Sequence, residues 1–118
     1  MSFRQQLTEK LASDYQSEII VAKGIDAIVR YLEGLKTEWA DILNVTNEIV
    51  VDTTDKYVKV RNSTLQFRGV SRGIEVFTEL GQLDFIAVHQ GSLKSARIPD
   101  GFLSYDLLDT YLKEVFSQ

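Results

Sequence analysis

Apolar residues recur at every fourth position in the first part of the chain. The members of this row are Phe3, Leu7, Leu11, Tyr15 and Ile19. Four residues turn an α-helix by about 400°, so the row drifts slowly across one helix face, by about 40° at each step. Spacings of three and four then continue from Ile25 to Trp39, as is typical of an amphipathic helix. Ser2, followed three residues later by Gln5, is typical of a capping box at a helix start. The pattern predicts N-terminal helices over about residues 3–43.

The apolar segment between these two stretches ends at Gly24, and it leaves two interpretations of the N-terminal region. One continuous helix over residues 3–36 would be about 50 Å long, whereas a compact domain of this size is about 35 Å across. A glycine that follows β-branched residues favours a break or kink near Gly24. The alternative is an uninterrupted helix that projects from the domain and is covered by a second subunit.

From Glu48 onwards the apolar period changes from three or four residues to two, as in β-strands. Runs of about five residues, joined by short turns, predict an antiparallel meander of about five strands over residues 48–89. Its clearest hairpin is Ile74–His89, with Gly81 at the turn. We expect residues 90–98 to form a loop.

The strand from Leu83 to Val88 is apolar on both faces apart from Asp84, which is typical of a central or doubly covered strand. Alternation assigns Phe77, Ile86 and Val88 to the face opposite Val76 and Phe85. We therefore expect the sheet to be covered on both faces, by the chain's own helices or by a second subunit. In the second case Phe77 and Ile86 are interface residues.

A final amphipathic helix is predicted over residues 104–117, with Ser104 as its N-cap. Together these elements indicate a single α+β domain over residues 1–118, a length sufficient for a core without disulfides. The chain contains no cysteine, which excludes disulfides, thiolate metal sites and a cysteine nucleophile. We find no secretory signal and no membrane-spanning stretch in the sequence, and we expect a cytoplasmic location.

The net charge of −4 is unevenly distributed along the chain. Residues 1–52 carry −4, residues 53–97 carry +3 and residues 98–118 carry −3. The predicted sheet is therefore mildly basic between acidic helical ends, an asymmetry that bears on the choice of partner.

No motif in the sequence predicts a reaction or a cofactor. His89 is the single histidine, and we interpret it as a surface residue at a strand end rather than as a general base. Asp52 and Asp55 lack the rest of a calcium-binding loop, and we expect them to bond their own backbone in a turn. We predict no catalytic, cofactor-binding or metal-binding residue.

One polar cluster is predicted on the outer face of two neighbouring strands. Its members are Tyr57, Lys59, Arg61, Gln66 and Arg68. Basic and aromatic side chains of this kind can bind single-stranded nucleic acid, although the chain as a whole is acidic. A solvated sheet face or a protein-binding face fits this balance of charge better.

The sequence therefore favours a small binding or adaptor protein without catalysis, whose partner is a protein, including a second copy of itself in a homodimer. The expected interaction residues are Tyr57, Lys59, Arg61, Arg68, Phe77 and Ile86. The alternative is a small-ligand binder or enzyme with a pocket between the sheet and the N-terminal helices. Its candidate lining residues are Tyr15, Trp39 and Tyr57. Nucleic-acid binding by the basic strand face ranks below both.

Overall fold

The N-terminal helices form a nearly continuous rod. The computed structural model describes residues 2–117 of the chain. Helix α1 (Phe3–Asp14) begins with the expected capping box between Ser2 and Gln5, and α2 (Gln16–Glu38) follows after a single intervening residue. A short α3 (Ala40–Leu43) ends the helical region. The longest dimension of the molecule is 58 Å, close to the length of about 54 Å expected for 36 helical residues.

The predicted break near Gly24 is wrong, because α2 runs through that residue and the interruption lies at Tyr15 instead. Even there the backbone hydrogen bonds continue: the Tyr15 N–H donates to the Leu11 carbonyl, and Tyr15 in turn accepts from the Ile19 N–H. The rod is long and projects beyond the core, as in the alternative interpretation, although the interruption at Tyr15 divides it. The second subunit of that interpretation stays a prediction.

Gly24 serves close packing rather than helix termination. A Cβ atom at this position would lie 2.3 Å from Cδ1 of Leu93 and 3.2 Å from Cδ1 of Ile74. A side chain at this position would therefore require the Leu93 side chain to shift within the packed interface between α2 and the sheet. A Cβ atom at Gly34, in the same helix, would meet no heavy atom of the surrounding fold within 4 Å.

These two glycines provide a matched pair of substitutions. We expect Gly34→Ala to raise the free energy of unfolding by about 0.5–1 kcal/mol, because alanine is the better helix former and has room there. Gly24→Ala should instead lower it by about 1–2 kcal/mol, since overpacking outweighs the helix propensity. Urea denaturation of both variants measures the difference, and an equal gain at both positions would contradict the close-packing role of Gly24.

The sheet has six antiparallel strands in sequential order. They are β1 (Ile49–Asp52), β2 (Tyr57–Val60), β3 (Ser63–Val70), β4 (Gly73–Thr78), β5 (Gly81–His89) and β6 (Ser92–Ser95). The α+β class and the meander are confirmed, with one strand more than expected. Residues 92–95 form β6 because Gln90 and Gly91 both have positive φ values, 50° and 79°, the backbone geometry of a two-residue hairpin turn.

The core lies between one face of the sheet and the helices α2 and α4 (Tyr105–Phe116). Ser104 caps α4 by accepting a hydrogen bond from the Leu107 N–H, as predicted. Tyr31 of α2 donates to Asp109 of α4 at 2.5 Å and so joins the two helices. Burial, and then this hydrogen bond, raise the pKa of Tyr31 well above its ordinary value.

Candidate interaction surface

The second face of the sheet is covered by no helix of residues 2–117. We call it the open sheet face. Its outward residues are Val50, Asp52, Tyr57, Lys59, Thr64, Gln66, Arg68, Glu75, Phe77, Phe85, Ala87 and Lys94. Lys59 and Arg68 are exposed, and the other members are partly exposed. This face therefore combines three aromatic rings with three cationic side chains and two carboxylates, those of Asp52 and Glu75.

Strand register arranges these side chains in rows across the sheet. Tyr57 pairs with Gln66, and Gln66 pairs with Phe77. In the next row, Arg68 of β3 pairs with Glu75, and Glu75 pairs with Phe85. Directly opposed residues on one face have Cβ atoms about 5 Å apart, so the two rows form one continuous surface.

Arg68 connects the two rows. Its Nε and Nη2 atoms donate to Oε1 of Glu75 at 3.0 and 2.8 Å. Its guanidinium carbon lies 5.0 Å from the centre of the Phe77 ring, within the range of a cation–π contact. An exposed ion pair of this kind contributes about 0–1 kcal/mol to stability. The arrangement therefore orients the Arg68 and Phe77 side chains more than it holds the fold together.

Phe85 lies on the open sheet face against a strand position that has no side chain. A Cβ atom at Gly73 would be 2.6 Å from Cζ of the Phe85 ring. The ring therefore packs against the backbone of β4, and it remains only half-buried. At the sheet edge, the Lys94 Nζ lies 5.5 Å from the centre of the Phe102 ring, which adds a fourth aromatic next to the surface.

The structure brings together four of the six predicted interaction residues: Tyr57, Lys59, Arg68 and Phe77. Arg61 is not among them, because it occupies the β2–β3 turn with a φ of 56° and does not continue the strand. Ile86 is fully buried on the helix-facing side. The prediction that Ile86 shares a face with Phe77 is wrong.

Ile86 was assigned to the wrong face because the β4–β5 pair contains a β-bulge and because β5 carries a buried carboxylate, Asp84. The register shifts between Val76 and Phe77, so that Val76 opposes Asp84 while Phe77 opposes Gln82. Asp84 and Ile86 then point towards the helices, and Val88 also packs against that core. Phe85 points outwards, although its apolar character suggested the reverse.

Asp84 is tolerated in the core because donors surround it. Its carboxylate accepts hydrogen bonds from the hydroxyls of Ser95 and Tyr111 and from the N–H groups of Phe85 and Arg97. Burial raises the pKa of this carboxyl, but the four hydrogen bonds outweigh burial and hold the pKa below its ordinary value.

This cluster joins β5 to β6 and to α4. Burial, followed by the hydrogen bond to Asp84, raises the pKa of Tyr111 well above the ordinary range. Asp84, Ser95 and Tyr111 are each at most 5% exposed, so substrate does not reach them. We interpret the cluster as structural. In the sequence, this cluster is indicated by Asp84, the single polar residue of the otherwise apolar run from Leu83 to Val88.

The pocket proposed between the sheet and the N-terminal helices is not formed by its predicted lining residues. Tyr15 is 56% exposed at the α1–α2 junction, Trp39 packs against the core beside α3, and Tyr57 lies on the open sheet face. An open groove of about 530 Å³ lies elsewhere, between α2, β6 and the start of α4. Its apolar lining includes Ile20, Leu93, Leu103, Tyr105 and Leu108.

The remaining candidate residues occupy turns and strand ends. Oδ1 of Asp52 accepts the N–H groups of Thr54 and Asp55 at 2.9 and 2.7 Å, which confirms its expected turn role. His89 is exposed at the end of β5. Over residues 2–117 no three acidic or histidine side chains converge into a possible metal site. Within the same residues, every helix is too short or too polar to cross a membrane.

Comparison of the chain with protein-family models, with curated proteins and with solved structures finds no match.

Proposed function

We propose that this chain is a small, non-catalytic adaptor or binding protein and that the open sheet face contacts a protein partner. The observation that carries the proposal is the half-buried pair Phe77 and Phe85 on a sheet face that no helix of residues 2–117 covers. Aromatic residues and arginine are enriched in protein interfaces and among their energetic hot spots. Here Arg68 lies directly beside Phe77.

Charge indicates the kind of partner. Lys59, Arg68 and Lys94 outnumber the carboxylates of Asp52 and Glu75 on the open sheet face, whereas the chain as a whole carries −4. A partner with an apolar centre and an acidic rim complements this surface, and such complementarity accelerates association and excludes basic partners. We place this role in the cytoplasm, which the cysteine-free composition favours.

Alanine substitution of Phe77 or Arg68 is expected to weaken partner binding by about thirtyfold, the effect of losing a hot-spot contact worth about 2 kcal/mol. The protein is immobilised, partners are recovered from native extract and identified by mass spectrometry, and the affinity of each purified partner is then measured for both variants. Leu80→Ala is the matched control, because Leu80 is 93% exposed in the β4–β5 turn, away from this face. Its binding should equal that of the wild type.

Two results would contradict the proposal. Partner binding that survives both open-face substitutions would place the interface elsewhere. Salt-sensitive binding of a single-stranded oligonucleotide, lost in Lys59→Ala and Arg68→Ala, would identify this surface as a nucleic-acid site instead.

A further inference from the structure

An apolar row runs along α1 and into the first turn of α2, and no other part of residues 2–117 covers it. We call its five residues the α1 row. The exposed fractions are 76% for Phe3, 42% for Leu7, 46% for Leu11, 56% for Tyr15 and 39% for Ile19. None of the residues of α1 is buried. An isolated helix of 12 residues is marginally stable in water, so α1 depends on its continuity with α2 and on whatever covers this row.

The total surface of the chain is larger than that of a compact monomer. A folded monomer of 13.4 kDa exposes about 6,500 Å², whereas this chain exposes 7817 Å². The excess of about 1,300 Å² exceeds the roughly 800 Å² that each partner buries in a standard interface. The radius of gyration, 16.6 Å, likewise exceeds the value of about 13.5 Å for a compact domain of this length.

The row has an internal symmetry that suits pairing with itself. Its five residues are evenly spaced about Leu11, so an antiparallel copy centred there opposes Phe3 to Ile19, Leu7 to Tyr15 and Leu11 to Leu11. The same arrangement brings Arg4 of one copy towards Glu18 of the other. A parallel arrangement would instead oppose Arg4 to Arg4 and Glu18 to Glu18, and like charges destabilise helix pairs.

A second apolar surface continues from the end of the row. Ile19 and Ile20 line a shallow groove of about 480 Å³ between α1, α2 and the β5–β6 turn. Ile20 also lines the neighbouring groove of about 530 Å³. Ile20 lies about 180° around the helix from Leu11, so both grooves face away from a partner helix centred on Leu11 and stay open in the antiparallel arrangement.

We propose that two copies of this chain form a dimer through antiparallel pairing of the α1 rows, centred on Leu11, with Phe3 of each copy beside Ile19 of the other. The interface is isologous, as in most homodimers. It leaves both open sheet faces accessible, so this inference is independent of the proposed partner-binding role of that face.

Light scattering after size-exclusion chromatography tests the association. At about 100 μM we expect twice the monomer mass of 13.4 kDa. Leu7→Glu should raise the dissociation constant by more than about a hundredfold, because it places an unpaired carboxylate in an apolar interface. Gln6→Glu, which adds the same charge on another side of α1, should leave the mass of the dimer unchanged. The monomeric Leu7→Glu variant should still unfold cooperatively in urea, because Leu7 is 42% exposed and is not part of the core.

Disulfide trapping tests the orientation. The chain contains no cysteine, so each variant carries one thiol. Leu11→Cys should cross-link under mild oxidation, because it faces itself across the two-fold axis. Phe3→Cys should not, because its two copies lie about 24 Å apart along the helices and a disulfide requires Cα atoms within about 7 Å.

Three results would overturn the inference. A monomeric mass at 100 μM removes the dimer, and cross-linking of both cysteine variants shows parallel pairing. Dissociation by Phe77→Ala with no effect of Leu7→Glu would place the dimer interface on the open sheet face. Dissociation by Phe77→Ala would also mean that the open sheet face is not free to bind another protein. If only Leu7→Glu abolishes dimerisation, the proposed role of the open sheet face is unaffected.

Discussion

Replacing Asp84 with alanine is expected to lower the free energy of unfolding by about 3–5 kcal/mol, a large part of the stability of a domain of this size. The substitution removes the acceptor of the buried Ser95 and Tyr111 hydroxyls and of two backbone N–H groups. Of these four donors, the Arg97 N–H keeps a partner, because it also donates to Oγ of Ser95. Each buried donor left without an acceptor costs about 1–3 kcal/mol. Urea denaturation measures the loss.

Glu75→Ala is the matched control, because Glu75 is an acidic residue on the neighbouring strand whose ion pair with Arg68 is solvent-exposed. We expect that substitution to cost no more than about 1 kcal/mol. Tyr111→Phe, which removes one donor from the cluster, should cost about 1.5–3 kcal/mol. Equal losses for Asp84→Ala and Glu75→Ala would show that the buried cluster contributes little to stability.

Acid titration provides a second measurement of the same cluster. The pKa of Asp84 is lower in the folded protein than its ordinary value of 3.8, so the folded state favours the ionised carboxylate. Its contribution is therefore complete above about pH 3.8 and is lost as the pH falls through the pKa of the folded state. Asp84→Asn should flatten this part of the stability curve, and an unchanged slope would contradict the assignment.

Phe67→Ala is expected to cost about 3–5 kcal/mol, whereas Phe77→Ala should cost less than about 1.5 kcal/mol. Phe67 is 1% exposed on the helix-facing side of β3, where its ring lies 6.3 Å from that of Tyr111. Its truncation leaves a cavity in the core. Phe77 lies on the open sheet face, where solvent can replace the lost contacts. Thermal and urea denaturation of the pair measure the difference.

This comparison also bears on function. Similar losses for both phenylalanines would mean that the open sheet face is part of the stabilising core, which would weaken its proposed role in binding a partner. A stable Phe77→Ala variant that fails to bind the partner would show that the open sheet face serves binding, while the helix-facing side of the sheet serves stability. The same purified variants serve both experiments.

The sequence predicted the secondary structure well where a regular period extends over many residues. The α1 row, the capping box at Ser2, the Ser104 cap and the alternation of β2 and β3 all depend on contacts between neighbours in the chain. Prediction failed at Gly24, where close packing against Leu93 and Ile74 decides the role of the glycine. Prediction also failed at residues 92–95, which were expected to form a loop. This segment has little apolar pattern, and it is a strand because it pairs with β5.

Four residues of the candidate surface, Tyr57, Lys59, Arg68 and Phe77, were predicted because simple alternation places them correctly. Ile86 was assigned to the wrong face because a bulge changes the register after Val76. No property of β5 alone shows that Asp84, rather than Phe85, points into the core. That choice depends on donors from β6 and α4, which are 11 and 27 residues further along the chain.

The sequence by itself determined the helical ends, the meander and the apolar row of α1, because these follow from local periodicity and from hydrogen bonds between near neighbours. The tertiary structure decided which sheet face is covered and that α1 projects beyond the core. Those outcomes depend on contacts between distant residues, on the satisfaction of one buried carboxylate, and on how closely α2 can approach the sheet at Gly24.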